Sequence, residues 1–216
     1  MRWAHTLRYK VAGMEIARAL SDLEEVRERL AGCQRFHGYS GGAAALSGVA
    51  ALTAGAVQGF LVPHPSTPEQ VRLYLEIWLG CLAVGLAINY GALAMWYWRI
   101  ADAGERRQTR TAGATILPAM ALSAVLTLAL TEVGREDLLP GLWFSAYGTG
   151  LFASRGMIPR GMMAAALCYM AAGSVLLLWP AHAAALSWWV MPAGFGLGML
   201  WIGWMLAHEH AGEHAR

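Results

Sequence analysis

Residues 71–99 read VRLYLEIWLGCLAVGLAINYGALAMWYWR. Arg72 and Glu76 sit at one end and Arg99 at the other, and residues 77–98 between them carry no charge. About 20 apolar residues in a helix cross the roughly 30 Å of bilayer hydrocarbon. The stretch therefore reads as a membrane-spanning helix with a charged foot at each end. Its length rules out an ordinary buried strand, and its lack of a polar face rules out a surface helix of a soluble domain.

The same test applied outward finds six such runs: Gly41–Val62, Leu73–Trp96, Ala112–Leu130, Leu138–Ala153, Gly161–Trp179 and Ala183–Ala207. Composition agrees, since 57% of the residues are apolar and only 14% are charged, against about 25% charged in soluble domains. The links between runs are short, so consecutive helices are expected to be antiparallel, as three hairpins. The fold class expected is all-α: an integral bundle of six transmembrane helices. Residues 1–40 form a cytoplasmic N-terminal segment before it, residues 41–207 the bundle, and residues 208–216 a histidine-rich cytoplasmic tail.

Charge sets the orientation. Arg2, Arg8, Lys10, Arg18, Arg27, Arg29 and Arg35 precede the first run; Arg99, Arg106, Arg107 and Arg110 fall in the second link; Arg155 and Arg160 in the fourth; Arg216 ends the chain. Only Arg72 and Arg135 of the 16 basic residues fall on the other side. Basic residues in short loops stay in the cytoplasm, so both termini are expected there. Tyr74, Trp78, Trp143, Trp188 and Trp189 would mark the outer interface; Trp96, Tyr97, Trp98, Trp201 and Trp204 would mark the inner one.

Small residues at packing spacings point to close helix–helix approach. Gly55 and Gly59, Gly148 and Gly150, and Gly194 and Gly198 are the positions expected to serve it. Pro118, Pro140 and Pro192 lie in or at the ends of the third, fourth and sixth runs. Residues 14–31, MEIARALSDLEEVRERLA, place Ile16, Leu20, Leu23, Arg27 and Leu30 on one helical face, with Ala19 and Val26 beside them. This is an amphipathic helix, suited to the leaflet, to the bundle or to a protein partner bound through residues 14–35.

An ionisable side chain at membrane depth is costly and therefore a functional candidate. Arg72, Glu76 and Asn89, all in the quoted stretch, are the ligand- or ion-binding candidates. Arg72 and Glu76, four apart, also suit a simple interfacial ion pair. The tail, MLAHEHAGEHAR, contains His210, Glu213 and His214 in the H-x-x-E-H spacing of inverted zinc peptidases, with His208 upstream. Gly212 interrupts that helix on propensity, and two residues follow His214. The expected behaviour of His208, His210 and His214 is adventitious metal binding at a solvated helix end. The three cysteines have no metal-site spacing, no nucleotide loop or nucleophile motif occurs, and no cofactor is expected. The basic link RIADAGERRQTR suits anionic lipid rather than nucleic acid. Beyond lipid, a protein partner or a second copy of the chain is compatible with the pattern.

In Leu138–Trp143, Tyr147, Gly148, Gly150, Pro159, Gly194, Phe195 and Gly196, the chain resembles a family of small polytopic bacterial inner-membrane proteins. Its members begin with a short charged helix and often stand beside a winged-helix-type transcriptional regulator. The resemblance implies six spans, a glutamate in the second span at Glu76, and a native start at Met14. It implies no activity. Among functions, a non-enzymatic sensing, signalling or scaffold module ranks first. A small-solute or ion transporter centred on Glu76 and Asn89 is the alternative, and a membrane-embedded metalloenzyme ranks third.

Overall fold

The computed structural model describes residues 40–99, 101, 103–155, 161–178 and 182–214, with side chains at all of these but 105, 108, 112, 182, 183 and 209–214. The expected amphipathic helix over 14–31 and the segment before it lie outside the described residues. Within them the protein is helical, with no strand. Six α-helices follow in order: α1 Gly41–Leu61, α2 Pro68–Arg99, α3 Ala103–Glu132, α4 Leu139–Ala153, α5 Gly161–Leu178 and α6 Leu197–His214. Four segments are long and apolar enough to cross a membrane: Gly41–Leu61, Pro68–Arg99, Thr109–Glu132 and Gly161–Leu178. The 15 residues of α4 reach only about 22 Å at 1.5 Å per residue.

The helix ends follow from local chemistry. Ser40 is extended, and its Oγ accepts the Ala43 N–H at 3.2 Å, starting α1. At the start of α2, Thr67 and Gln70 cap each other. The Gln70 N–H donates to Thr67 Oγ1 at 3.3 Å, and the Thr67 N–H donates to Gln70 Oε1 at 3.4 Å. This is a capping box with Pro68 at the first helical position, where its missing N–H costs nothing. After α3 the chain reverses at Gly134, whose φ of 71° favours glycine. Arg135 then grips both oxygens of Asp137, at 3.1 and 3.2 Å. That hydrogen-bonded, oppositely charged partner raises the guanidinium pKa above its ordinary value.

Two departures from the expected spans have physical causes. The run expected as the sixth span does not start as an α-helix. Residues His182–Leu186 form a 3-10 turn, and Pro192–Gly196 form one π-helical turn before α6. In this segment the Trp188 N–H is taken by Pro63 O at 3.0 Å, and Pro192 has no N–H to give. Conversely, Gly212 does not interrupt α6, which runs through it to His214; one glycine costs a helix only about 1 kcal/mol.

Packing also departs from three hairpins. α1 packs on α2, and α3 on α4, as expected. However, the most extensive interface joins α4 to α5, and the next joins α1 to α6, whereas α5 meets α6 only sparsely. The first and last helices of the bundle thus close on each other. None of the described residues of α3 is buried, and its Leu117, Val125 and Leu128 are 62–70% exposed. An apolar surface of that extent, on a helix this apolar, suits hydrocarbon rather than water.

Lipid tails are as apolar as leucine, so apolar burial does little to hold helices together within a bilayer. Close backbone approach does more. A Cβ on Gly41 would come within 2.9 Å of Gly203 O, and one on Gly203 within 2.8 Å of Gly41 O. Seven residues on, a Cβ on Gly48 would lie 2.8 Å from Gly196 O. Gly55 is filled by the Pro192 ring, and Gly59 lies under Trp188 at 3.4 Å. Elsewhere in the bundle, a Cβ on Gly148 would lie 2.8 Å from the Ala166 carbonyl, whereas one on Gly150 would make only ordinary contact, with Ile116 at 3.5 Å. Gly194 and Gly198 are covered by Phe144 and Tyr169.

A Gly48→Leu substitution is therefore expected to destabilise the bundle by about 1–3 kcal/mol, the usual cost of overpacking. Gly80, which has nothing within 4 Å of its would-be Cβ, should accept alanine with no loss. Thermal unfolding of both variants in mild detergent checks this.

Candidate functional site

Three segments meet at the far end of α1, and one side chain joins them. Gln58 is fully buried. Its Oε1 accepts from Trp78 Nε1 of α2 at 2.8 Å, and its Nε2 donates to Leu186 O of the 3-10 turn at 2.8 Å. A buried amide with no partners would cost several kcal/mol; here both ends are matched, so the cost becomes a geometric constraint. Next to this joint, Trp188 N–H donates to Pro63 O and Ser187 Oγ lies 3.3 Å from His64 Nδ1. Tyr74, one turn before Trp78, is also fully buried, and its hydroxyl has no hydrogen-bond partner among the described residues.

The three candidates on α2 do not form one site. Arg72 Nε contacts Glu76 Oε1 at 3.0 Å, with the two side chains 82% and 60% exposed. An exposed pair one helical turn apart contributes at most about 0.5 kcal/mol. Asn89 is thirteen residues further along the same unbroken helix, about 20 Å away at 1.5 Å per residue. Its Nδ2 donates to Ser47 Oγ of α1 at 2.7 Å and to Gly85 O at 2.9 Å. Ser47 Oγ in turn donates to Ala43 O at 2.9 Å. Asn89 thus ties α2 to α1 at depth, as Gln58 does near the end.

A second cluster lies where α4, α5 and the π-turn meet. Phe144, Tyr147, Tyr169 and Phe195 stack edge to face or tilted, with ring centroids 4.9–5.9 Å apart. Tyr169 hydroxyl donates to Gly194 O within the π-turn at 3.0 Å, and Tyr147 hydroxyl meets Met199 Sδ at 3.1 Å. Trp143 Nε1 donates to Thr127 Oγ1 at 2.9 Å, joining α4 to α3; Thr127 also back-bonds to Ser123 O.

In the tail, His208 Nδ1 lies 3.0 Å from Trp204 O, and its ring lies 4.4 Å from that of Trp204. His210 and His214 have described backbone only, one turn apart on α6. Among the described residues no three metal-ligating side chains cluster.

Gln58, Ser47, Trp78 and Tyr169 escaped a search for ionisable groups at membrane depth. The signal for Gln58 was present: it is the one amide inside the run GAVQGFL, and an uncharged polar group in a span also needs a partner. Nothing in the sequence marked Leu186 O or Gly194 O as acceptors, because each is freed by an irregular backbone turn. The chain matches no protein-family model, no curated protein and no solved structure.

Gln58→Leu removes both bonds and leaves the Trp78 N–H and the Leu186 carbonyl unmatched. It should cost about 1–3 kcal/mol, whereas Glu76→Gln should cost less than about 1 kcal/mol. Paired thermal denaturation of the purified variants distinguishes the two.

Proposed function

We propose that the chain is a six-span protein of a bacterial inner membrane with both termini in the cytoplasm. In this reading it acts as a non-enzymatic sensing, signalling or scaffold module. Supporting the membrane placement are four helices long and apolar enough to cross a bilayer and an exposed apolar surface along α3. The module reading rests chiefly on one observation: Gln58, Asn89, Trp143 and Tyr169 bond from one helix or turn to the next. Polar groups used this way fix the arrangement of helices rather than face a solute path.

The transporter alternative needs Glu76 and Asn89 to act together, and their separation along α2 gives it no shared site. The resemblance to small inner-membrane proteins found beside transcriptional regulators favours a relay to a cytoplasmic partner, with residues 14–35 as the contact.

Single cysteines in a background without Cys33, Cys81 and Cys168 test the topology. On intact cells a membrane-impermeant maleimide should label Ser66→Cys and Val133→Cys and spare Arg107→Cys and Arg155→Cys; the reverse pattern sinks the orientation. Deleting residues 1–35 should abolish cross-linking to a cytoplasmic protein while the bundle still folds. A truncated chain that retains the same cross-linked partner would overturn the relay through that segment.

A further inference from the structure

A groove lies between α1 and α2, at the end where α1 begins and α2 finishes. It holds about 400 Å³ between Ala43 and Leu46 of α1 and Ile88, Gly91, Ala92 and Met95 of α2. Leu46 and Met95 in its lining are exposed, so the groove opens outward, toward hydrocarbon in a bilayer. Small residues create it. A Cβ on Gly91 would meet nothing within 4 Å, and one on Gly42, also in the lining, only Ser40 Oγ at 3.7 Å. Glycine weakens a helix interior. At Gly48 backbone contact with α6 offsets that cost; at Gly91 nothing among the described residues does.

One cation stands at the end of the groove. Ile88, Ala92, Met95 and Arg99 follow at spacings of four, three and four residues, which sets them on one face of α2. Arg99 is the last residue of that helix. It is exposed and makes no hydrogen bond or ion pair among the described residues. Two other arginines of the α2–α3 junction are engaged around Tyr97, two residues from both Met95 and Arg99 and so on the opposite face. The Arg106 guanidinium lies 5.4 Å from the centre of the Tyr97 ring, and its Nε donates to Ala101 O at 3.1 Å. Arg110 Nη2 donates to the Tyr97 hydroxyl at 3.1 Å.

We propose that the groove between α1 and α2 binds one anionic phospholipid, with its phosphate on Arg99 and an acyl chain along Met95, Gly91 and Ile88. The charge at the groove's end selects this occupant. A neighbouring helix laid along the groove would hold the Arg99 guanidinium against an apolar surface, which is costly. A phospholipid instead brings phosphate to that level and hydrocarbon to the next, and a guanidinium takes phosphate oxygens in pairs. An acyl chain gains little by leaving lipid for an equally apolar groove, so the arginine supplies the preference and the groove supplies the place. The bound chain fills the space beside the Asn89–Ser47 bond and joins α1 to α2 there. The inference needs the bundle to lie in a bilayer and is independent of the relay through residues 14–35.

The test is native mass spectrometry of the full-length chain released from nanodiscs of equal parts phosphatidylcholine and phosphatidylglycerol. One phosphatidylglycerol per chain should be retained in preference to phosphatidylcholine. Arg99→Gln should lower that retention about fivefold, the worth of one arginine near an anionic lipid. Arg107→Gln removes the same charge from an exposed position on α3 and should leave retention unchanged. Gly91→Leu fills the groove without touching the charge and should displace the lipid; Ala92→Leu serves the same end if that variant fails to fold. In nanodiscs of phosphatidylcholine alone, added inorganic phosphate should leave no adduct. Equal retention of the two lipids, equal losses from Arg99→Gln and Arg107→Gln, retention undiminished when the groove is filled, or a phosphate adduct without anionic lipid each overturns the site. No cytoplasmic partner enters the measurement, so its failure is separate from failure of the relay, which deletion of residues 1–35 probes.

Discussion

The contact on which the bundle depends is the approach of two backbones, α1 and α6, along glycine. Within a bilayer the side chains that face lipid lose little by staying there, so helices associate where something better than lipid is offered. Gly41 against Gly203 and Gly48 against Gly196 offer it: a Cβ on Gly41, Gly203 or Gly48 would come within 2.9 Å of the facing glycine's carbonyl, so the backbones approach where no side chain fits. This interface joins the first helix to the last and brings the two ends of the bundle together. The second tight interface, α4 on α5, uses the same device at Gly141, Gly148 and Gly173. α2 and α3, poor in such contacts, stay on the outside with their apolar sides exposed.

Polar groups then fix what the glycines leave free. Smooth glycine surfaces permit sliding and rotation, and hydrogen bonds between segments remove that freedom at chosen levels. Gln58 does so at one end, where α1, α2 and the turn before α6 converge. Asn89 and Ser47 do so between α1 and α2. Tyr169 does so at the π-turn.

Much of the architecture was legible in the sequence. Runs such as residues 77–98 announce helices because uncharged stretches of that length have few other uses, and the described residues are helical with no strand. The packing order was not legible. Hydropathy identifies what enters the bilayer but not which helix meets which, and short links suggested hairpins that the α1–α6 and α4–α5 interfaces override. The sixth run misled for a related reason. Residues 183–196 are as apolar as a span, but Pro192 and the bond from Trp188 to Pro63 divert the backbone into turns. Among the candidate residues, Glu76 was singled out for its charge and lies in an exposed ion pair, whereas Asn89 and the unremarked Gln58 are the groups that bridge helices. Charge marks cost, but bridging depends on a partner that only the fold supplies.

The closure of α1 on α6 is tested most directly by carbon–carbon correlation in solid-state NMR of the full chain in lipid bilayers, with glycine α-carbons and carbonyls labelled. The arrangement described here predicts cross-peaks between Gly41 and Gly203 and between Gly48 and Gly196. Their absence from a sample whose chemical shifts remain helical at all four glycines would contradict it.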